Sequence, residues 1–262
     1  MQHFGIIGNP LKQSFSAKYF TEKFMREHID ADYRLFPLES IDLFPRLCAE
    51  HQFTGLNVTL PFKETVIPYL DDLDDTARKI GAVNVIKFEH GNRLKGEEVN
   101  RLTGRPRLIG YNTDTIGFSE SLSSLLCQCS GLSAQRSVSA LVLGTGGAAK
   151  AVIYALRQMG INVHVVSRSE GYDYTYHTLT ADIIREHLLV VNCTPLGMFP
   201  DTDACADIPY EGITPQHLCY DVIYNPAETL FLSRCKAHGA TVCNGLGMLY
   251  GQAQAAWRIW QC

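Results

Sequence analysis

The stretch Ser139–Gly160, SALVLGTGGAAKAVIYALRQMG, decides how the chain folds. It opens on an apolar run, Ala140-Leu141-Val142-Leu143, that breaks at Gly144-Thr145-Gly146-Gly147-Ala148-Ala149. Apolar residues then recur at Ala151, Val152, Ala155, Leu156 and Met159, the spacing of one helical face, and the pattern stops at Gly160. Ile161-Asn162-Val163-His164-Val165-Val166 follows, a β-branched run of strand length. Strand, glycine turn, helix and second strand make the opening unit of a parallel dinucleotide-binding fold. In that reading Gly144 permits the tight turn, Gly146 lets the backbone approach a pyrophosphate, and Ala149 allows close helix–strand packing. The phosphates would lie on free N–H groups at the helix N-terminus, where the dipole favours negative charge. A glycine-rich turn that binds nothing is the alternative.

Downstream of this unit stand Ser167-Arg168-Ser169. A cofactor with a free 2′-hydroxyl meets an acid about 20 residues beyond the first glycine. An arginine flanked by hydroxyls suits a 2′-phosphate instead, so NADP is expected rather than NAD; the alternative is a surface arginine at a strand end. Leu188–Asn192 reads as a third parallel strand, ending in Cys193-Thr194-Pro195-Leu196-Gly197-Met198. His217–Val222 is the fourth, followed by Ile223-Tyr224-Asn225-Pro226, then a helix over Thr229–His238 and a short strand at Ala240–Cys243. After Asn244-Gly245-Leu246-Gly247-Met248 the chain closes with a helix over Leu249–Trp260, whose apolar face (Leu249, Ala253, Ala256, Trp257, Trp260) is expected to dock on the first domain.

Upstream, Phe4–Gly8 is a short strand and Asn9-Pro10 a turn. Ser14 and Ser16, two apart on an extended segment, would point their hydroxyls the same way and suit a hydroxylated or carboxylate ligand. The alternative is that Ser16 caps the helix that follows, Tyr19–Met25. Asp32–Leu38 is strand-like and Ile41–Glu50 helical. Phe53–Leu60 is the next strand, with Asn57 and Thr59 on one face, Pro61 stopping it and Lys63 opening the next segment. Polar side chains at the carboxyl end of a strand in an open α/β sheet are where ligands bind; a solvated lysine at a helix start is the other reading of Lys63. Ile80–Ile86 reads as an apolar strand interrupted by Asn84, whose amide needs a backbone partner or a ligand. The polar Glu89–Pro106 region reads as a hairpin or surface excursion, returning as the strand Leu108–Asp114 with Thr113 and the carboxylate of Asp114 at its end. A helix over Phe118–Leu126 and a Ser-rich connection, Cys127–Ser137, lead into the glycine unit, so the domain boundary is expected near 114–118.

A chain of 262 residues with 46% hydrophobic and 19% charged residues has the composition of a soluble globular protein of one large or two modest domains. The net charge of −4 gives no electrostatic footprint for nucleic acid or an acidic membrane surface. No apolar segment has the length of a membrane span, and MQHFGIIGNP has none of the features of a signal peptide. Nine scattered cysteines without a C-x-x-C pair fit reduced thiols in a cytoplasmic protein, with no metal site expected.

Nine of these stretches, in this order, resemble the shikimate dehydrogenase family over nearly the whole chain. They are Gly8-Asn9-Pro10 with Ser14 and Ser16, Asn57–Lys63, Gly81–Asn84, Gly110–Asp114, Gly144–Ala149, Ser167–Ser169, Asn192–Met198, Tyr220–Pro226, and Asn244–Leu249 with Gln252. The resemblance implies an α/β enzyme of two domains: a mixed α/β substrate domain, residues 1–114 plus 245–262, and a doubly wound, Rossmann-like parallel-sheet NADP domain, residues 115–244. It implies reversible NADPH-dependent reduction of 3-dehydroshikimate to shikimate, in aromatic amino acid biosynthesis, by a monomer or homodimer. Lys63 and Asp114 would be the catalytic residues. Ser14, Ser16 and Tyr224 would hold the substrate carboxylate, and Thr59, Asn84, Gln252, Asn57 and Thr113 its ring hydroxyls. The pyrophosphate would lie on Gly144, Thr145, Gly146, Gly147 and Ala148, the adenosine phosphate near Ser167, Arg168 and Ser169, and the nicotinamide near Thr194, Val222 and Gly245.

Two departures from the family pattern stand out. Ser169 replaces the usual threonine, with Glu170-Gly171-Tyr172-Asp173 after it and no second basic residue. The segment from Ser169 to Leu188 is shorter than usual, which predicts a missing helix. Glu97–Arg107 and Cys127–Ser137 look like loops of this chain's own. The competing readings are an NAD-dependent quinate/shikimate dehydrogenase and a catalytically idle ligand-binding module of the same fold.

Overall fold

The computed structural model describes residues 1–11, 14–90, 105–128 and 139–262. Most of the expected excursion at 89–106, and of the loops at 97–107 and 127–137, lies outside the described residues. The chain divides into two compact units, Met1–Thr113 with Ala253–Cys262, and Asp114–Gln252.

Unit 1 starts with β1 (Gln2–Gly8), α1 (Phe15–Arg26), β2 (Ala31–Pro37) and α2 (Phe44–Glu50), which a 3₁₀ turn at Ile41–Leu43 precedes. It continues through β3 (Gly55–Val58), β4 (Asp72–Leu73), α3 (Asp75–Ile80), β5 (Val85–Glu89) and β6 (Arg107–Tyr111). The six strands form one mixed sheet in the order β2-β1-β3-β5-β6-β4. β1 pairs parallel with both β2 and β3, while β5 runs antiparallel to β3 and β6. One edge of the sheet therefore carries the carboxyl ends of β1, β3 and β6 and the start of β5. Residues 253–262 close this unit: Ala253, Ala256 and Trp260 pack with Phe4, Phe20, Phe24 and Val85. The Trp260 indole donates to the Ile86 carbonyl at 3.1 Å.

The expected strand over Ile80–Ile86 is corrected here. Its first residue ends α3, Gly81 takes the left-handed conformation that stops the helix (φ +71°), and the strand begins only at Val85. Ala82 and Val83 are fully buried outside any strand, so burial rather than strand geometry made that run apolar.

Unit 2 contains α4 (Asp114–Gln128), β7 (Ser139–Leu143), α5 (Gly147–Gln158), β8 (Asn162–Ser167), β9 (Tyr174–Thr175), α6 (Ala181–Glu186), β10 (Leu189–Asn192), β11 (Leu218–Asp221), α7 (Leu230–Ala237) and β12 (Thr241–Cys243). α8 (Leu246–Gln261) begins in this unit and runs past its last residue, Gln252. The sheet order is β12-β11-β10-β7-β8-β9, with every pairing parallel. Strands from β7 onward progress to one side and strands from β10 onward to the other. That is the doubly wound order, whose direction reverses between β7 and β10. The strands are apolar along nearly their whole length because both faces are covered: Val142, Val191 and Tyr220 face one core cluster, and Leu141, Val190 and Cys219 the other.

In the short segment no helix stands between the parallel neighbours β8 and β9, and α6 follows them, capped by Thr180, whose side chain accepts from the Ile183 N–H. Six residues are too few to show helical periodicity in the sequence.

Candidate active site

The glycine turn lies where the sheet order reverses. Gly144 has φ +107°, and its N–H donates to the Val166 carbonyl at 2.9 Å, tying the end of β7 to β8. A side chain there would stand 3.3 Å from the Cys193 carbonyl and the Thr194 methyl, so this glycine also lets the segment after β10 close on the turn. Gly146 is the N-cap of α5 in extended conformation, and a Cβ there would meet nothing within 4 Å. Gly147 and Ala149 are buried in the first turn. Thr145, Gly146, Gly147 and Ala148 therefore bring backbone N–H groups without intrahelical acceptors to an open, electropositive helix end. The donor set fits a pyrophosphate.

Ser167 ends β8, and its buried hydroxyl accepts from the Ser169 N–H at 3.0 Å, which shapes the turn that presents Arg168. Arg168 and Ser169 are exposed. Burial pushes the Tyr176 phenol up and the Arg168 charge pulls against it, so β9 and its flank bring an aromatic ring close to this arginine.

On the other side of the reversal point, a polar chain ties the segments that follow β10 and β11. Thr194 donates through its N–H (3.1 Å) and its hydroxyl (2.7 Å) to Asn192 Oδ1. Asn192 Nδ2 donates to Asp221 Oδ1 at 3.1 Å, and Asn192 O accepts from the Val222 N–H at 3.0 Å. Gly245 fits because a Cβ there would overlap the Val222 carbonyl oxygen. Tyr224 is partly exposed after β11, and Gln252 is buried with Nε2 donating to the Leu249 carbonyl at 3.1 Å. Asp114 opens α4 and is buried, as is Thr115 beside it.

In unit 1 the polar side chains gather at the sheet edge where β1, β3 and β6 end. Asn57 Oδ1 accepts from the Tyr33 hydroxyl at 2.6 Å, and its Nδ2 donates to the Asn84 carbonyl at 3.2 Å. Asn84 Oδ1 accepts from the Thr113 N–H at 2.8 Å, and its Nδ2 donates to the Thr113 hydroxyl at 3.0 Å. Asn112 is held the same way, donating to the Ala82 carbonyl at 2.9 Å. Thr59 lies just past β3, with its methyl group against Gly8. Lys63 is half-buried in the turn that follows, and its carbonyl accepts from the Val83 N–H at 2.7 Å.

The premise about the two serines is corrected. Ser14 occupies the N-cap position of α1 without a side-chain capping bond, and Ser16 lies inside the first turn. They therefore do not alternate along an extended segment. The Ser16 hydroxyl is buried and bonds the Tyr33 phenol. Burial holds that phenol well above its ordinary range, so it stays protonated and links Ser16 to Asn57. Tyr33, Asn192, Asp221 and Thr229 are structural members of these networks that sequence reasoning did not single out. Three of the four stand in or at the end of strands, where a polar residue in an apolar run is the one available signal.

The fold and this edge of polar groups define an α/β dehydrogenase of the dinucleotide-binding class. The profile of the shikimate dehydrogenase substrate binding domain matches residues 6–86. A shikimate dehydrogenase (NADP(+)) of Clostridium beijerinckii is 37% identical over 274 residues, covering 100% of this chain and 92% of the relative. The crystal structure of shikimate dehydrogenase from Aquifex aeolicus superposes with a TM-score of 0.82 at 34% identity, covering 100% of this chain and 93% of that one. The Thermus thermophilus enzyme, solved in complex with NADP(H) and shikimate, gives a TM-score of 0.79 at 31% identity over 99% of this chain and 93% of its own. The chain belongs to the shikimate dehydrogenase family.

Proposed function

We propose that this protein is an NADP-dependent shikimate dehydrogenase that interconverts 3-dehydroshikimate and shikimate. The observation that carries the reading is the glycine turn at the head of α5, set where the order of a six-stranded parallel sheet reverses and open at Gly146. Family membership supplies the substrate. Unit 2 is read as the NADP-binding part and unit 1, with its profile match, as the substrate-binding part.

Bound NADPH supplies the hydride. The protein's own work is to hold the ketone and to deliver a proton to the oxygen on which negative charge develops. Lys63 is assigned that proton: an ammonium both donates and stabilises the developing charge. Asp114 is assigned the matching carboxylate role in catalysis. Ser14, Ser16 and Tyr224 are assigned to the substrate carboxylate, and Thr59, Asn84 and Gln252 to the ring hydroxyls. Asn57 and Thr113, with side chains engaged by Tyr33 and Asn84, are better read as supports that orient Asn84. Gly144 to Ala148 would hold the pyrophosphate and Ser167 to Ser169 the 2′-phosphate. Thr194, Val222 and Gly245 would line the nicotinamide side.

The reading carries a cytoplasmic location, supported by the eight described cysteines, all free thiols. Among the described residues no helix is long and apolar enough to cross a membrane, and no His/Cys/Asp/Glu cluster could hold a metal ion. The test is nicotinamide absorbance with shikimate or quinate against NADP or NAD. Turnover confined to shikimate with NADP is the expected result. Turnover chiefly with NAD or quinate would move the protein to the neighbouring activity, and none with any pair would refute the enzyme assignment.

A further inference from the structure

Asp221 is the last residue of β11 and is fully buried. Three donors converge on its two oxygens. Oδ1 accepts from Asn192 Nδ2 (3.1 Å) and from the Ile223 N–H (3.0 Å), and Oδ2 accepts from the Thr229 hydroxyl (2.6 Å). Each donor belongs to a different segment: Asn192 ends β10, Ile223 follows β11, and Thr229 caps α7, its hydroxyl accepting the Leu232 N–H at 3.3 Å. Asn192 passes the restraint on to Thr194, which packs against Gly144.

We propose that Asp221 is a positioning residue for the nicotinamide end of the cofactor, its ionised carboxylate clamping the segments after β10 and β11 to the head of α7 so that Thr194 and Val222 are held in working position. The inference rests on the NADP reading above. The donor set is what a carboxylate needs and a carboxylic acid does not. A proton on Oδ2 would force the Thr229 hydroxyl to turn from donor to acceptor and leave its own hydrogen without a partner. Burial pushes the Asp221 carboxyl up to about 6, against the pull of these three hydrogen bonds. The clamp is therefore charged at neutral pH and released in mild acid. The titratable groups facing it are the thiols of Cys193, after β10, and Cys235, on α7. Burial raises the first, and a hydrogen bond to Cys219 together with burial raises the second, so both stay neutral across this range.

The test compares wild type with Asp221→Asn, which puts an amide where Thr229 donates and so fixes the acid form at every pH. Thr229→Val removes the donor by a second route, and Thr229→Ser restores it. The first readout is the emission of NADPH at saturation, where titration of the cofactor's own phosphate does not enter. The second is the Kd of adenosine 2′,5′-bisphosphate, which lacks nicotinamide. The third is kcat with its pH profile. Wild-type emission and kcat should fall through pH 6, whereas Asp221→Asn should show the acid-form emission at pH 7.5 and no step. Its kcat, and that of Thr229→Val, should be about tenfold lower, a loss of about 1.4 kcal/mol, with the bisphosphate Kd within twofold and Thr229→Ser near wild type. Wild-type emission and kcat in Asp221→Asn, or an equal loss of bisphosphate affinity, would overturn the inference. A wild type that binds NADPH without turning over shikimate would sink the function reading alone, and the emission comparison would still decide the role of Asp221. A wild type that does not bind NADPH would end both.

Discussion

The buried carboxylate of Asp221 should make the protein less stable at neutral pH than its packing alone would allow. In the unfolded chain this carboxyl titrates near 3.8, and in the folded protein burial raises it to about 6. Between those values the unfolded chain has lost the proton and the folded chain has kept it. Each unit of pH in that window therefore takes about 1.4 kcal/mol from the folded state. The contribution is fully present below the unfolded value and fully lost above the folded one, a total of about 3 kcal/mol. Asparagine at 221 carries no charge and does not follow this curve.

The stability of Asp221→Asn relative to wild type should thus rise by about 3 kcal/mol on going from pH 3.5 to pH 7. Comparison at each pH cancels the titration of the other carboxylates, which both proteins share. Urea unfolding by circular dichroism is the assay. Trp257 and Trp260, the only tryptophans, belong to unit 1, so the part of the transition that tryptophan fluorescence does not follow reports unit 2. A stability difference that stays constant from pH 3.5 to pH 7 would refute the reasoning, because Asp221 would then not titrate differently in the two states.

Lys63→Ala should bind shikimate with little change and lose on the order of 10²–10⁴-fold in kcat. The backbone bond from the Val83 N–H to the Lys63 carbonyl survives the substitution, and near-wild-type turnover would remove the proton role. Arg168→Ala, at an exposed position, should keep the melting temperature and weaken NADP on the order of ten- to hundredfold, with NAD unchanged, as read by titration with each dinucleotide. Equal losses would mean that Arg168 does not read the 2′-phosphate. Trp260→Ala should cost about 3–5 kcal/mol in unit 1, since it empties a core position and removes the indole bond to the Ile86 carbonyl. A urea midpoint within error of wild type would contradict that packing.

What could be read in the sequence was whatever rests on local periodicity. The β7–α5–β8 unit is legible because a strand run, a glycine break and a helical face each leave their own spacing over adjacent residues. The run at Ile80–Ile86 misled because a helix end, a left-handed glycine and a buried loop produce the same apolar string as a strand. Ser14 and Ser16 misled for a related reason. Their spacing fits alternation along a strand, but the helix starts earlier than the apolar pattern shows, and Ser14 takes the cap position. The links Ser16–Tyr33–Asn57 and Thr194–Asn192–Asp221–Thr229 had no local signal at all, because each joins residues from separate elements.

The second of these chains follows a logic that Ser167 shares. Asn192 and Asp221 end the apolar strands β10 and β11, and Ser167 ends β8. A polar side chain at that place is too deep to be solvated and must be satisfied by the segment that follows the strand. It thereby fixes the path of the loop, and in an open α/β sheet those loops are the ones that meet the ligand. A hydrophobic residue at the same place would pack well but leave the loop free to choose among conformations. The raised Asp221 carboxyl shows the cost of the polar choice in this chain: stability at neutral pH is given up at the strand end from which the segments carrying Thr194 and Val222 are held.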